Sequence, residues 1–158
     1  MLYLVDGHNL IPKLPGLNLR QIDDEERLIE LLQTFSRVRR HTVEVYFDGA
    51  PPGQAGTRSY GSIKAHFVPA GQTADEALHR RLKRMQRGAR QVTLVSSDRR
   101  VLAEARRRQA ALLTSEQFAA LVMDAKHTAD AQPGAPPAVS AGDLDEWLRL
   151  FGETPQKR

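Results

Sequence analysis

No cysteine occurs in the 158 residues of this chain. That absence excludes disulfides, thiolate nucleophiles and cysteine-based zinc sites, and it fits a reducing compartment. No apolar run approaches the roughly 20 residues that span a bilayer. The chain reads as a strand from residue 2 onward, without a basic-then-apolar signal segment, so a cytoplasmic setting is the expectation. Familiar catalytic signatures are missing too. There is no GxxxxGKS/T phosphate loop, no GxGxxG after the first strand and no GxSxG nucleophile elbow. The DGHN segment at residues 6–9 lacks the second aspartate, two positions on, that aspartyl-phosphate hydrolases use. The fifth apolar run ends Leu113-Thr114-Ser115, without the lysine that a phospho-receiver domain requires there. No internal repeat is visible.

What remains is the composition of one soluble globular domain, with 41% hydrophobic and 27% charged residues. The net charge of +4 is unevenly spread. Between Arg80 and Arg108 stand eleven Lys/Arg residues against only Asp98 and Glu104. Basic helix faces are often merely solvated. A stretch this one-sided nevertheless offers a field suited to a polyanion.

The hydrophobic period alternates between strand and helix along the chain. Strands are expected at 2–5, 43–47, 63–68, 92–95 and 110–113. Helices are expected at 24–38, from Thr73 onward, at 99–108, and from Ser115 to about Met123. Such alternation implies an α/β fold: three αβα layers around a mainly parallel, five-stranded sheet. Residues 11–22 and 49–62 read as long loops. We expect one domain over residues 1–127 and a Pro/Gly/Ala-rich linker over 128–142. A C-terminal amphipathic helix over 143–152 follows, with Leu144, Trp147, Leu148 and Phe151 as its apolar stripe.

Four of the strand-like runs hand over to an aspartate: Asp6, Asp48, Asp75 and Asp98. Each has an ordinary reading alone. Asp6-Gly7 and Asp48-Gly49 suit turns. Asp98 or Ser97 suits a helix N-cap. Thr73 with Glu76 fits a capping box, the reading we prefer for Glu76. Jointly they say more, because the carboxyl ends of parallel strands lie along one edge of the sheet. Carboxylates crowded there raise one another's pKa unless a cation relieves them, which points to a hard divalent metal, Mg2+ or Mn2+. Asp6, Asp75 and Asp98 are the expected ligands, with Asp48 a further candidate. The Asn9 amide can hold a metal-bound water or a phosphate oxygen without adding charge, or simply stabilise its turn. His8 is expected to pack or to face substrate.

The motifs VDGHNLI, YFDG, AGQTADEAL, LVSSD and LLTSEQF, in this order and spacing, resemble the YacP-like branch of the NYN domains, within the PIN-like nuclease fold. The likeness covers roughly residues 1–125, and LDEWLRLFGE resembles a Trp-containing C-terminal segment of that branch. It implies a metal-dependent endoribonuclease acting on mRNA in the context of the ribosome. Position by position, Asp6, Asp75 and Asp98 match the metal-binding acids and Asn9 their polar companion. Asp48 matches an FD element of less certain role. The chain departs at His8, where relatives often carry Tyr, and in the Pro/Gly-rich 49–62 loop.

The leading expectation is therefore phosphodiester hydrolysis with one or two metals, leaving 5′-phosphate and 3′-hydroxyl ends. Lys13, Arg20, Arg58 and Arg80 are candidate RNA-backbone contacts, as are Arg81, Arg84, Arg99 and Arg100. Two other readings stay open. One is a non-catalytic RNA- or ribosome-binding module of the same fold. The other is a DNA-directed nuclease of the flap type, for which the chain lacks the length of the usual extensions.

Overall fold

A computed structural model describes residues 1–17 and 23–131. Arg20, most of the expected linker and the expected C-terminal helix lie outside the described residues.

The elements follow in the order β1 (Leu2–Asp6), α1 (Gly7–Leu10), α2 (Asp24–Arg39), β2 (Thr42–Ala50), β3 (Gly56–Tyr60), β4 (Ile63–Pro69), α3 (Ala74–Met85), β5 (Val92–Val95), α4 (Arg99–Arg107), β6 (Ala111–Leu113) and α5 (Ser115–Asp130). Single 3-10 segments, Ile11–Lys13 and Gln86–Gln91, follow α1 and α3. The sheet runs β3-β4-β2-β1-β5-β6. All neighbouring pairs are parallel except β3 with β4.

Successive strand side chains point to opposite faces, which builds two cores. Val5, Val45 and Val95 pack with Leu28, Leu32 and Phe35 of α2 and Phe118 and Val122 of α5. Leu4, Tyr46 and Leu94 pack with Leu78 and Leu82 of α3 and Val101 and Ala105 of α4. Helices therefore cover both faces, as parallel strands buried on both sides require. This is the expected three-layer α/β architecture.

The sheet has six strands rather than five. Gly56–Tyr60, expected within a loop, forms an antiparallel edge strand joined to β4 by Gly61-Ser62. Gly61 takes φ +66, as tight hairpin turns demand of their first loop residue. The segment GTRSY is almost wholly exposed and nearly devoid of apolar residues, so no hydrophobic alternation announced it. Two bounds also move. β2 continues past Phe47 to Ala50 through a bulge, with Gly49 at φ +75, so Asp48 sits within a strand rather than in a turn. α5 runs on to Asp130, beyond both the expected end near Met123 and the expected start of the linker at residue 128.

Candidate active site

Reading along the sheet, the chain runs from β1 outward through β2 and β4 on one side, then through β5 and β6 on the other. The order reverses between β1 and β5, and a crevice opens outside the carboxyl ends at such a point. β1 ends there in Asp6, and β5 is followed there by Ser96, Ser97 and Asp98. Helix α3, packed on the same face as α4, brings Asp75 in its first turn.

Asp6 is only 8% exposed. It caps the short α1, its Oδ1 accepting the Asn9 N–H at 3.4 Å. The turn is tight because Gly7 lies against β2: a Cβ on it would fall 2.4 Å from the Phe47 ring. Asp98 caps α4, its Oδ1 accepting the N–H groups of Arg100 (2.9 Å) and Val101 (3.2 Å). The buried Ser96 hydroxyl accepts the Asp98 N–H at 3.0 Å and fixes the approach to that cap. Asp75 follows Thr73, whose hydroxyl accepts the Glu76 N–H at 3.1 Å while the Glu76 carboxylate accepts the Thr73 N–H at 3.0 Å. That capping box is the role expected for Glu76.

The three aspartates line up with Asp75 in the middle, its carboxyl acting on Asp98 on one side and on Asp6 on the other. Burial, the neighbouring Asp98 carboxyl and the charge of Asp6 push the Asp75 carboxyl up to about 7. Burial also raises Asp6, although the Asn9 N–H and the neighbouring Asp75 carboxyl oppose it. Desolvation acts on Asp98 as well but is outweighed by the N–H groups of Val101 and Arg100 and the neighbouring Asp75 carboxyl, which hold it low. Asp75 therefore keeps its proton to a much higher pH than an ordinary aspartate does.

Among the described residues, no three His, Asp or Glu side chains close on a common point as a ready-made metal cage. Magnesium-type sites seldom need one, because such ions keep several waters and take only one or two carboxylates plus substrate phosphates. The donor set fits such an ion: oxygen ligands only, with a proton on Asp75 that a cation would replace.

Asn9 is fixed by its oxygen. Its Oδ1 accepts the Ser97 N–H at 3.1 Å and also the Ser115 hydroxyl, joining α1, the segment after β5 and α5. A backbone N–H can only donate, so the amide orientation is settled and the NH2 group is the end left for a ligand. Such an end suits a phosphate or water oxygen and not a cation.

Asp48 has both oxygens engaged. Oδ1 meets His8 Nδ1 at 2.8 Å, and Oδ2 accepts the Ala74 N–H at the start of α3 at 3.4 Å. His8 Nε2 reaches Glu25 at 2.6 Å, so the imidazole bridges α2 and β2 and its ring lies against Phe47. The bond to Glu25, with help from Asp48 and against burial, raises His8 to about 8. Asp48 therefore braces α3 just before Asp75.

Beside Asp75 and Asp98 opens a cleft of about 660 Å³ between α3 and α4, with Arg80 and Arg100 on its walls. Among the described residues, only these two of the expected RNA contacts line it. Arg99 is exposed at the start of α4, and Arg84 faces a different hollow beside β4. Lys13 pairs with Glu116 at 3.1 Å. Arg58 lies on the edge strand, its guanidinium 4.3 Å over the Phe67 ring. Arg81 is the clearest correction. It grips Glu44 on β2 through two bonds, at 3.0 and 2.9 Å, and so holds α3 to the sheet. Its i+3 spacing from the buried Leu78 was the signal that it faces inward.

No helix among the described residues is long and apolar enough to cross a membrane. A comparison with curated proteins finds no match. Among solved structures, Rae1 (YacP) from Bacillus subtilis superposes with a TM-score of 0.70, over 99% of this chain and 95% of that one, at 18% identity. Its W164L mutant gives 0.67, over 83% and 80%, also at 18% identity. At that identity the likeness is one of fold. The family model of the YacP-like NYN domain matches residues 3–139. The chain is thus a member of the YacP-like NYN domain family, a branch of the PIN-like nucleases.

Proposed function

We propose that the protein is a metal-dependent endoribonuclease that hydrolyses RNA phosphodiester bonds, with mRNA on the ribosome as its substrate setting. The observation that carries this reading is the Asp6–Asp75–Asp98 chain at the switch point of a PIN-like sheet. Binding alone would gain nothing from three acids in a polyanion's path.

Asp6, Asp75 and Asp98 would hold Mg2+ or Mn2+. When bound, such an ion supplies a Lewis acid that activates a water and stabilises the leaving 3′ oxygen. Asp75 would have to lose its proton to serve as a ligand. Asn9 presents its NH2 to a phosphate oxygen, oriented by Ser97 and Ser115. Arg80 and Arg100 flank the cleft and offset phosphate charge on either side.

The test incubates RNA and Mn2+ with the wild-type protein beside an Asp6→Asn Asp75→Asn double variant. The expected result is cleavage to 5′-phosphate and 3′-hydroxyl ends by the wild type alone. Equal cutting by both proteins would expose contamination and sink the reading. Salt-sensitive RNA binding without metal-dependent cutting would favour the non-catalytic binding module.

A further inference from the structure

The carboxylate cleft does not end at Arg80 and Arg100. His79 of α3 and Arg107 of α4 line it and also line a second hollow of about 790 Å³ farther along the same two helices. The walls of that second hollow carry Lys83, Arg87, Arg90, Arg107 and Arg108, five cations against the single carboxylate of Glu104. Glu104 is taken up internally, by Arg107 at 2.5 Å and Arg108 at 2.7 Å. Among the described residues, Lys83, Arg87 and Arg90 have no acidic partner.

A solvated helix face ordinarily interleaves both signs, as a charged coiled-coil flank does. Here five cations face one carboxylate in a concavity that leaves Lys83, Arg87 and Arg90 without an acidic partner among the described residues, and the concavity leads into the site. The cations line a single furrow, which suits the one backbone of an unpaired strand. No Phe, Tyr or Trp lines the furrow, so it offers no stacking platform for bases. Its chemistry reads phosphate charge and not sequence.

We propose that the α3–α4 furrow is a binding track for single-stranded RNA, in which Lys83, Arg87 and Arg90 hold the backbone on one side of the scissile phosphate. The track rests on the nuclease reading for its substrate, but it makes a separate claim about where the strand lies.

The test measures affinity for a fluorescein-labelled oligouridylate in EDTA, across a range of salt concentrations, so that binding is read without cleavage. Each phosphate contact to a single strand contributes about 0.7 to the log–log salt slope. The Lys83→Gln Arg87→Gln Arg90→Gln variant should therefore flatten the slope by about 2 and weaken low-salt binding roughly tenfold. A charge-keeping variant, Lys83→Arg Arg87→Lys Arg90→Lys, should retain the wild-type slope. So should Arg37→Gln Arg40→Asn Lys126→Gln, which removes three charges from the helices on the opposite face of the sheet.

A wild-type slope in the first variant, while the wild type still cuts RNA in Mn2+, would overturn the track and leave the nuclease reading intact. A flattened slope without any metal-dependent cutting would keep the track and remove the nuclease reading. Polyglutamate competing as well as RNA would overturn the assignment to nucleic acid.

Discussion

His8 shows how one side chain can serve the site without entering it. Its imidazole meets Glu25 and Asp48 at once, and Asp48 in turn holds the first N–H of α3. The folded-state pKa of about 8 lies above the ordinary 6.5. The interaction therefore favours the fold fully below pH 6.5 and fades as pH rises through 8. We expect His8→Gln to lose about 2 kcal/mol at pH 6, and the gap from wild type to close above pH 9. Denaturant melts at the two pH values check this; a gap independent of pH would mean that packing against Phe47, and not charge, is what His8 supplies. Nothing local to His8 announces this role. Glu25 and Asp48 lie 17 and 40 positions away, and contacts of that range leave no local pattern. The capping box of Thr73 and Glu76 was legible for the opposite reason, since both partners fall within one turn.

Elements as a whole were legible wherever the burial pattern carried a clear period. The five parallel strands and four long helices announced themselves by apolar spacing, because each buries a face or a stripe. β3 did not, being an exposed edge strand held by its hydrogen bonds to β4. Tertiary demand also changed the meaning of charge on α3. By charge alone Arg80, Arg81 and Arg84 are alike, yet Arg81 turns inward to Glu44, which is only 6% exposed. Burial alone would raise that carboxyl, but the His66 imidazole 3.5 Å away and the two bonds from Arg81 hold it far below the usual carboxylate range. Removing one partner of such a buried pair leaves charge stranded. Arg81→Ala should accordingly destabilise the protein by about 3 kcal/mol. Arg84→Ala, at an exposed neighbour on the same helix, should change stability by less than about 0.5 kcal/mol. Equal melting points for the two variants would show that Arg81 does not anchor α3.

At the scale of the molecule, the fold sets its own acids against each other. Three strand-and-helix ends deliver Asp6, Asp75 and Asp98 to one crevice, and the cost is read at Asp75, raised to about 7 from an ordinary 3.8. Between those two values the native state holds more protons than the unfolded chain, so metal-free stability falls as pH rises through that window. Because Asp75 is only half-buried, the loss should be of the order of 1 kcal/mol. A divalent cation acts in the opposite direction. Bound at the proposed site it would displace the proton, so its affinity should rise from pH 6 to 8 and level off above. At a hundredfold excess over Kd it should add about 2.7 kcal/mol, a rise of roughly 5–10 °C in Tm for a chain of this length. Asp75→Asn removes one repelling charge and one ligand together. It should melt higher than wild type at pH 8 in EDTA, yet gain little from Mn2+. These opposite signs in one variant separate a metal site from a purely structural carboxylate. If Asp75→Asn were stabilised by Mn2+ as strongly as wild type, the cation would bind elsewhere, and the acids at the switch point would need another explanation.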